Sequence, residues 1–235
     1  MKITDSFTNV GNSSYGYVSH SFNQFIKTDG NHIVTVDHGD AYPRSLALIK
    51  YKTDFTGGQF CSNIGYWWDS NKHAVVNNSC DVTDLLTISG QIGDNTTNAT
   101  IGGFEISDTS YIVAASSINQ EKQEGLKNIY ILKESKEDGT VKSNQITDIS
   151  GKYNATSPYL VKINNNKFMV MWTIKNDNTV YYTYIDGDGN VISDINTMSG
   201  QLSDCEPIVY NGMVLWYICS NKKITFYGIN TDGTT

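Results

Sequence analysis

The stretch Asn165–Asn190 decides the fold, and it reads NNKFMVMWTIKNDNTVYYTYIDGDGN. Its apolar run Phe168–Trp172 is typical of a strand that is covered on both faces. The run Val180–Ile185 alternates with the period of two expected for a second strand. The segment Asp186–Asn190 then predicts a tight turn, because glycine readily adopts the positive φ angles that such turns need.

Three other stretches repeat this pattern at a period of tens of residues, and they run over Thr28–Gly57, Ser107–Thr140 and Tyr210–Thr234. A further strand precedes each apolar run, and a polar edge strand follows the turn at residues 141–148 and 191–196. No window shows apolar residues at helical spacing over three turns, so we expect almost no helix. Four antiparallel strands per repeat, arranged around an axis, form the blade of a β-propeller.

The sequence therefore predicts an all-β fold in which residues 1–235 form a single propeller domain of four-stranded antiparallel blades. The predicted blades lie near residues 19–66, 99–148, 156–198, and 204–235 together with 1–8. Lys2–Phe7 resembles the edge strand that the last repeat lacks, and we expect it to close the ring. Residues 58–98 form either a degenerate fifth blade or an insertion beside the first. Five blades are favoured; the alternatives are four blades or an open fragment of a larger propeller.

Composition excludes some classes of function. Charged residues make up only 17% of the chain, the formal net charge is −7, and Lys and Arg form no cluster, so a nucleic-acid binder is not expected. No apolar run approaches the roughly 20 residues that span a bilayer, so membrane insertion is not expected. The first residues lack the pattern of a signal peptide. Either the protein stays inside the cell, or a leader and flanking domains of a larger chain are missing; we favour the second, with a secreted or cell-surface location.

Four cysteines are present, and none is part of a C-x-x-C pair, so zinc-finger and thioredoxin-type sites are excluded by spacing. A turn at Tyr210–Gly212 predicts an antiparallel pair of strands in which Cys205 lies beside Ile218 or Cys219. A cross-strand disulfide between Cys205 and Cys219 is therefore predicted. Cys61 and Cys80 are candidates for a second bridge. Four free thiols in a reducing compartment remain the alternative.

The chain resembles the β-propeller repeat proteins of bacterial secreted and surface type. In these proteins, segments such as Pro158–Lys162, Phe168–Trp172 and Tyr182–Asn190 recur from blade to blade. The resemblance covers most of the chain apart from about Gly58–Asn98 and implies the propeller fold. The kelch, WD and Asp-box signatures are absent from the sequence.

Two groups of polar residues are candidates for ligand binding. Residues close to the first strand of a blade are expected to meet at the rim of the axial channel, and these are His20, Asn23, Asp204 and Glu206. The second group lies in the loop predicted after the strand Ile33–Val36, and it contains Asp37, His38, Asp40 and Arg44. Asp37 and Asp40 would hold a Ca²⁺ ion or a sugar hydroxyl, and Arg44 would bind an acid. Alternatively, Arg44 pairs with one of these acids and ties down a turn at Gly39.

The segment Asp186–Asn190 partly resembles an oxygen-rich Ca²⁺ loop, but it lacks the distal glutamate of an EF-hand, so we interpret it as a turn. Trp67 and Trp68 are a candidate platform on which sugar rings would stack. Apart from the candidate Ca²⁺, no cofactor is predicted.

Three functions follow from these observations. The first is a non-catalytic recognition module that binds a glycan or a protein at the propeller rim. The second is a propeller glycoside hydrolase or lyase, with Asp40 and Glu206 as paired carboxylates from different blades. The third is a structural domain of a larger surface protein.

Overall fold

The structure is a computed structural model, and it describes residues 22–39, 44–53, 80–88, 99–122 and 124–233. Every regular element in these residues is a β-strand, which confirms the all-β class. Within the same residues there is no helix with the length and apolar character needed to cross a membrane. The chain divides into two compact units, Met1–Ile101 and Gly102–Thr235.

The described residues of the first unit form one antiparallel sheet, sheet 1, with its strands in sequence order. Its strands are β1 (Phe22–Thr28), β2 (His32–Gly39), β3 (Arg44–Lys52) and β4 (Cys80–Ile88). The β1–β2 turn is closed by Asp29, whose Oδ1 accepts hydrogen bonds from the backbone N–H groups of Asn31 at 2.8 Å and His32 at 2.6 Å. Because β4 pairs with β3, residues 80–88 of the stretch 58–98 belong to the first repeat.

The second unit contains three antiparallel sheets, and each is a meander in sequence order. Sheet 2 consists of β5 (Ala99–Ile106, which begins at the boundary between the units), β6 (Ser110–Asn119), β7 (Glu124–Ser135) and β8 (Val141–Gln145). Sheet 3 consists of β9 (Ala155–Asn164), β10 (Lys167–Ile174), β11 (Thr179–Asp186) and β12 (Asn196–Ser199). Sheet 4 consists of β13 (Ile208–Tyr210), β14 (Met213–Ser220) and β15 (Lys223–Asn230). The predicted four-stranded antiparallel repeat is thus present in sheets 1, 2 and 3, whereas sheet 4 has three strands in the described residues. The strand Lys2–Phe7, which was predicted to complete it, lies outside the described residues.

Sheets 2, 3 and 4 pack face to face in chain order. The core between sheets 2 and 3 includes Ile112 and Ile131 from sheet 2 and Phe168 and Trp172 from sheet 3. The core between sheets 3 and 4 includes Met169 from sheet 3. Neighbouring residues of β10 therefore lie in different cores, because successive side chains of a strand point to opposite faces. The prediction that Phe168–Trp172 is covered on both faces is confirmed.

The Asp186–Asn190 segment is a hydrogen-bonded turn, as predicted. Asp186 Oδ1 accepts hydrogen bonds from the backbone N–H groups of Asp188 and Asn190, both at 2.9 Å, and Gly189 has a φ of +73°. The turn also contacts sheet 2, where Thr109 Oγ1 donates to Asp188 Oδ1 at 3.0 Å and Ser107 Oγ donates to the Gly187 carbonyl at 2.7 Å. The polar side chains of this turn thus hold sheet 3 against sheet 2.

Several strands differ from their predicted extents, and β8, for example, ends at Gln145 rather than at residue 148. The fourth strand of sheet 3 begins at Asn196 rather than at Val191, because Thr183 Oγ1 donates to the Ser193 carbonyl at 2.9 Å and Ser193 Oγ accepts the N–H of Tyr184 at 3.0 Å. In sheet 1, β2 continues through Gly39, which is paired with Ser45. The loop predicted directly after Val36 is therefore wrong for Asp37–Gly39, and residues 40–43 lie outside the described residues.

Candidate functional site

The structure brings one residue of the first predicted group and three of the second to the same end of sheet 1. Phe22, next to Asn23, pairs with His38, and Arg44 starts β3 opposite Ile88. Asn23, Asp37, His38 and Arg44 thus lie at the same end of the sheet. The prediction that Asp37 and His38 lie in a loop is wrong, since both belong to β2, where they pair with Ala47 and Leu46.

Several predicted site residues lie outside the described residues, and they are His20, Asp40, Cys61, Trp67 and Trp68. The Asp37–Asp40 pair therefore stays a prediction, as do the Ca²⁺ that it would bind and the stacking platform. In the described part of the chain, no group of three or more His, Cys, Asp or Glu side chains is placed to hold a metal ion.

Asp204 and Glu206 are both exposed on the loop that connects sheets 3 and 4. This loop is anchored to both sheets. Tyr159 Oη, on β9, donates a hydrogen bond to the Ser203 carbonyl at 2.5 Å, and Trp216 Nε1, on β14, donates to the Gln201 carbonyl at 2.8 Å. The backbone of the loop that carries the two acids is thus hydrogen-bonded both to sheet 3 and to sheet 4.

The charges of the anchored loop act on the side chain of Tyr159. Burial raises the pKa of Tyr159, and the charges of Asp204, Cys205 and Glu206 raise it further. A phenolate is disfavoured here because it would add a negative charge beside two carboxylates. Tyr159, Asp204 and Glu206 form a group that we call the acidic rim.

The first strands of sheets 2 and 3 are in direct contact. A Cβ atom on Gly102 of β5 would lie 1.8 Å from the carbonyl oxygen of Pro158 on β9, and one on Gly103 would lie 2.5 Å from the backbone nitrogen of Leu160. Lys162 Nζ, further along β9, donates to the Ile106 carbonyl at 2.6 Å. The backbones of β5 and β9 can therefore lie this close together only because residues 102 and 103 are glycines.

The predicted register at the start of sheet 4 is confirmed, but the predicted disulfide is not formed. Ile208 pairs with Leu215 and Tyr210 with Met213, as the turn at Asn211–Gly212 requires. Cys205 and Cys219 are nevertheless free and exposed. The ladder of β13 begins only after Pro207, which has no N–H to donate, so it does not hold Cys205 opposite β14.

Both thiols lie near Tyr217 instead. Cys205 Sγ lies 3.6 Å from Tyr217 Oη, within hydrogen-bond distance for sulfur. This contact raises the pKa of Tyr217, and the charges of Cys205 and Cys219 raise it further. For the other predicted bridge, Cys80 lies on β4, and its partner Cys61 is outside the described residues.

Sequence reasoning missed an exposed apolar surface on sheet 4. The apolar run Met213–Trp216 predicts a strand covered on both faces, yet only Val214 and Trp216 are buried. On the opposite face, which we call the outer face of sheet 4, the exposed side chains are Ile208, Tyr210, Tyr217, Ile224 and Phe226. The pattern of the run gave no sign of this exposure, because it depends on what lies beside the sheet.

No protein-family model matches the chain, and no curated protein matches it significantly. The function is therefore inferred from the residues and their geometry.

Proposed function

We propose that the sheets are blades of a β-propeller and that the protein is a non-catalytic recognition module, which binds a glycan or a protein at the acidic rim. The fold proposal is supported by three successive meander sheets that pack face to face in the second unit. It is also supported by the contact between the first strands β5 and β9, because the innermost strands of neighbouring blades converge on the axis of a propeller.

The observation that carries the proposal is the anchored loop of Asp204 and Glu206. Binding a ligand orders the loops that contact it, and a loop that is already held in place loses less entropy on binding. The hydrogen bonds of Tyr159 and Trp216 provide this order before a ligand arrives. Two exposed carboxylates on such a loop suit the hydroxyl groups of a sugar or the basic side chains of a protein.

Sheet 1 carries a separate group of proposed ligand-binding residues, in the first unit. Its candidates in the described part of the chain are Asn23, Asp37, His38 and Arg44, and those outside it are His20, Asp40, Trp67 and Trp68. We include Ca²⁺ as a ligand of Asp37 and Asp40 in this proposal. A secreted or cell-surface location, within a larger chain, would suit a module that recognises external glycans or proteins.

A glycan array tests the proposal. Wild-type protein is expected to bind a defined set of glycans, and the variant Asp204→Asn/Glu206→Gln is expected to lose this set. Asp194→Asn, which removes a charge from an exposed residue in another loop, is the matched control and should bind as wild type does. Trp67→Ala/Trp68→Ala tests the stacking platform separately.

The results of these binding experiments distinguish the recognition module from the enzyme and from the structural domain. Binding that survives in Asp204→Asn/Glu206→Gln would show that the acidic rim is not the site. Hydrolysis or elimination of a bound glycan that is lost in both Asp40→Asn and Glu206→Gln would show a glycoside hydrolase or lyase instead. If no glycan binds, the glycan ligand is excluded, and if no protein ligand is found either, a structural domain is the better description.

A further inference from the structure

The turn between β13 and β14 contains Asn211 and Gly212, the single Asn-Gly pair of the sequence. It is a two-residue turn, because Tyr210 and Met213 pair directly on either side of it. Asn211 has a φ of +47° and Gly212 a φ of +74°. These are the left-handed angles that Asn-Gly provides in tight hairpins, so the pair is needed for the shape of the turn.

The two groups that react when asparagine deamidates are accessible in this turn. Asn211 and Gly212 are both exposed. Within the described part of the chain, neither the side-chain amide of Asn211 nor the backbone N–H of Gly212 makes a hydrogen bond, whereas the Gly212 carbonyl accepts one from the N–H of Thr231 at 2.8 Å. No hydrogen bond in these residues therefore holds the Asn211 side chain away from the Gly212 nitrogen.

Glycine is the following residue that permits deamidation most readily, because it has no Cβ atom beside the attacking nitrogen. The Gly212 nitrogen loses its proton to hydroxide and attacks Asn211 Cγ. A C–N bond forms, and ammonia leaves with a proton taken from water. Water then opens the resulting succinimide ring. Opening at one ring carbonyl gives aspartate, and opening at the other gives isoaspartate, in which the backbone runs through the former side chain.

The second hairpin turn of sheet 4 has the same geometry without the glycine. It consists of Asn221 and Lys222, and the residues on either side of it, Ser220 and Lys223, are paired. Asn221 has a φ of +51° and Lys222 a φ of +63°, and both are exposed. The two turns match in length, backbone conformation and exposure, and they differ in the residue after asparagine. Asn221 is expected to react more slowly, because the Lys222 side chain crowds the attacking nitrogen.

Isoaspartate at residue 211 does not fit the pairing of β13 with β14. It adds one carbon atom to the backbone of a two-residue turn, so Tyr210 no longer lies opposite Met213. β13 has only three residues, Ile208–Tyr210, and it follows Pro207, which has no N–H to donate. Because the ladder is so short, a change of register at the turn releases the whole strand. Aspartate leaves the backbone unchanged and keeps the register.

We propose that Asn211 is a site of spontaneous deamidation and isomerisation in the folded protein, and that isoaspartate at this position detaches β13 from β14. The reaction requires only water and hydroxide, so its rate rises with pH. Both products add a negative charge to the turn. This inference does not depend on the ligand of the acidic rim.

Incubation of the folded wild type at mildly alkaline pH, followed by digestion and mass spectrometry, measures the reaction. Aspartate and isoaspartate should accumulate at residue 211 about tenfold faster than at residue 221, which corresponds to a barrier lower by about 1.4 kcal/mol. Equal rates at the two residues, or no product at residue 211, would overturn the proposal. Circular dichroism checks that the protein stays folded during the incubation.

Exchange of the residues after asparagine tests the cause. Gly212→Lys should suppress the reaction at Asn211, and Lys222→Gly should make Asn221 react. The turn can accept Gly212→Lys, because a Cβ atom at residue 212 meets nothing within 4 Å and Lys222 already adopts a similar φ. Unchanged rates in both variants would show that the Asn-Gly pair does not control the reaction, and the assignment would be overturned.

Freshly prepared Asn211→Asp separates the effect of the charge from that of the backbone. This variant has the charge of both products and an ordinary backbone, so its urea midpoint should be close to that of the wild type. Aged wild-type protein enriched in isoaspartate should unfold at lower urea than Asn211→Asp. Equal midpoints for the aged protein and Asn211→Asp would overturn the proposed release of β13.

Discussion

Gly102 and Pro158 bring the backbones of two first strands into direct contact. No side chain fits between them, since a Cβ atom at residue 102 would lie 1.8 Å from the Pro158 carbonyl oxygen. The neighbouring Gly103 is similarly close to Leu160. This contact fixes the separation of β5 and β9, and the proposed arrangement of blades around an axis depends on that separation.

Substitution of these glycines tests the contact. Gly102→Ala and Gly103→Ala force the two strands apart, and we expect each to lower the free energy of unfolding by about 1–3 kcal/mol or more, as overpacked cores do. Urea denaturation followed by fluorescence measures the change. Gly151→Ala is the control, because a Cβ atom there meets nothing within 4 Å. Equal stability of all three variants would show that β5 and β9 are not in contact.

The local pattern of the sequence was sufficient to predict the central strands of sheets 2 and 3, although not the bounds of their edge strands. An apolar run such as Phe168–Trp172 indicates burial on both faces of a strand. A turn such as Asn211–Gly212 sets the register of the two strands that it joins. Burial and register of this kind depend on residues that are close in the sequence. The structure confirms the burial of Phe168–Trp172 and the register at Asn211–Gly212.

Other features depend on residues that are distant in the sequence, and these were missed or predicted wrongly. The exposure of Phe226 depends on whether another sheet covers β15, and the apolar pattern of the strand is the same in either case. The disulfide prediction extended the pairing register of β13 back to Cys205. The strand begins only at Ile208, after Pro207, so Cys205 is not held in that register. For the candidate site, the sequence identified Asp204 and Glu206, but it did not show that Tyr159 and Trp216 anchor their loop.

Asp188 is expected to make part of the stability depend on pH. The hydrogen bond from Thr109, followed by the charge of Lys133, holds the pKa of the Asp188 carboxyl below its usual range. Because the folded-state pKa is lowered, the contribution of Asp188 is present above the ordinary pKa of aspartate. It is lost as the pH falls through the lowered value.

Thr109→Val removes the main donor to Asp188. We expect it to lower the free energy of unfolding at neutral pH by about 0.5–1 kcal/mol, a modest value because the carboxylate is half-exposed. The loss should be smaller in acid, where Asp188 is protonated. Urea denaturation at several pH values measures both effects, and Thr109→Ser, which keeps a hydroxyl group, is the control. A loss that does not vary with pH would contradict the assignment to Asp188.

Asp138 in the β7–β8 turn is predicted to titrate at unusually low pH. Hydrogen bonds from the side chain and backbone of Thr140, and then from Ser135, lower the pKa of Asp138 to about 2. An NMR titration of the carboxyl carbon should give this value. Thr140→Val should raise the pKa towards that of an ordinary aspartate, whereas Thr231→Val, in another turn, should leave it unchanged. A wild-type pKa in the ordinary range would show that these hydrogen bonds do not form in solution.

Cys205 and Cys219 are expected to react as free thiols in the folded protein. Both are exposed, so a thiol reagent should label them without denaturant at low protein concentration. Mass spectrometry of the digested protein identifies the labelled residues, and Cys205→Ser and Cys219→Ser should each lose one site. Recovery of a peptide in which Cys205 and Cys219 are linked would restore the disulfide prediction.

Tyr159 is predicted to support ligand binding through the loop that it anchors. Tyr159→Phe keeps the ring but removes the hydrogen bond to the Ser203 carbonyl, so the loop with Asp204 and Glu206 would have to be ordered by the ligand. One neutral hydrogen bond contributes about 1 kcal/mol, which corresponds to about a fivefold loss of affinity.

Isothermal titration with a glycan from the array measures this loss. Tyr153→Phe removes a hydroxyl group from an exposed tyrosine outside the acidic rim and is the matched control. Because Tyr159→Phe leaves both carboxylates in place, a loss of affinity would reflect the position of the loop and not its charge. Unchanged affinity, in a variant whose stability is also unchanged, would mean that the hydrogen bond to Ser203 does not prepare the site.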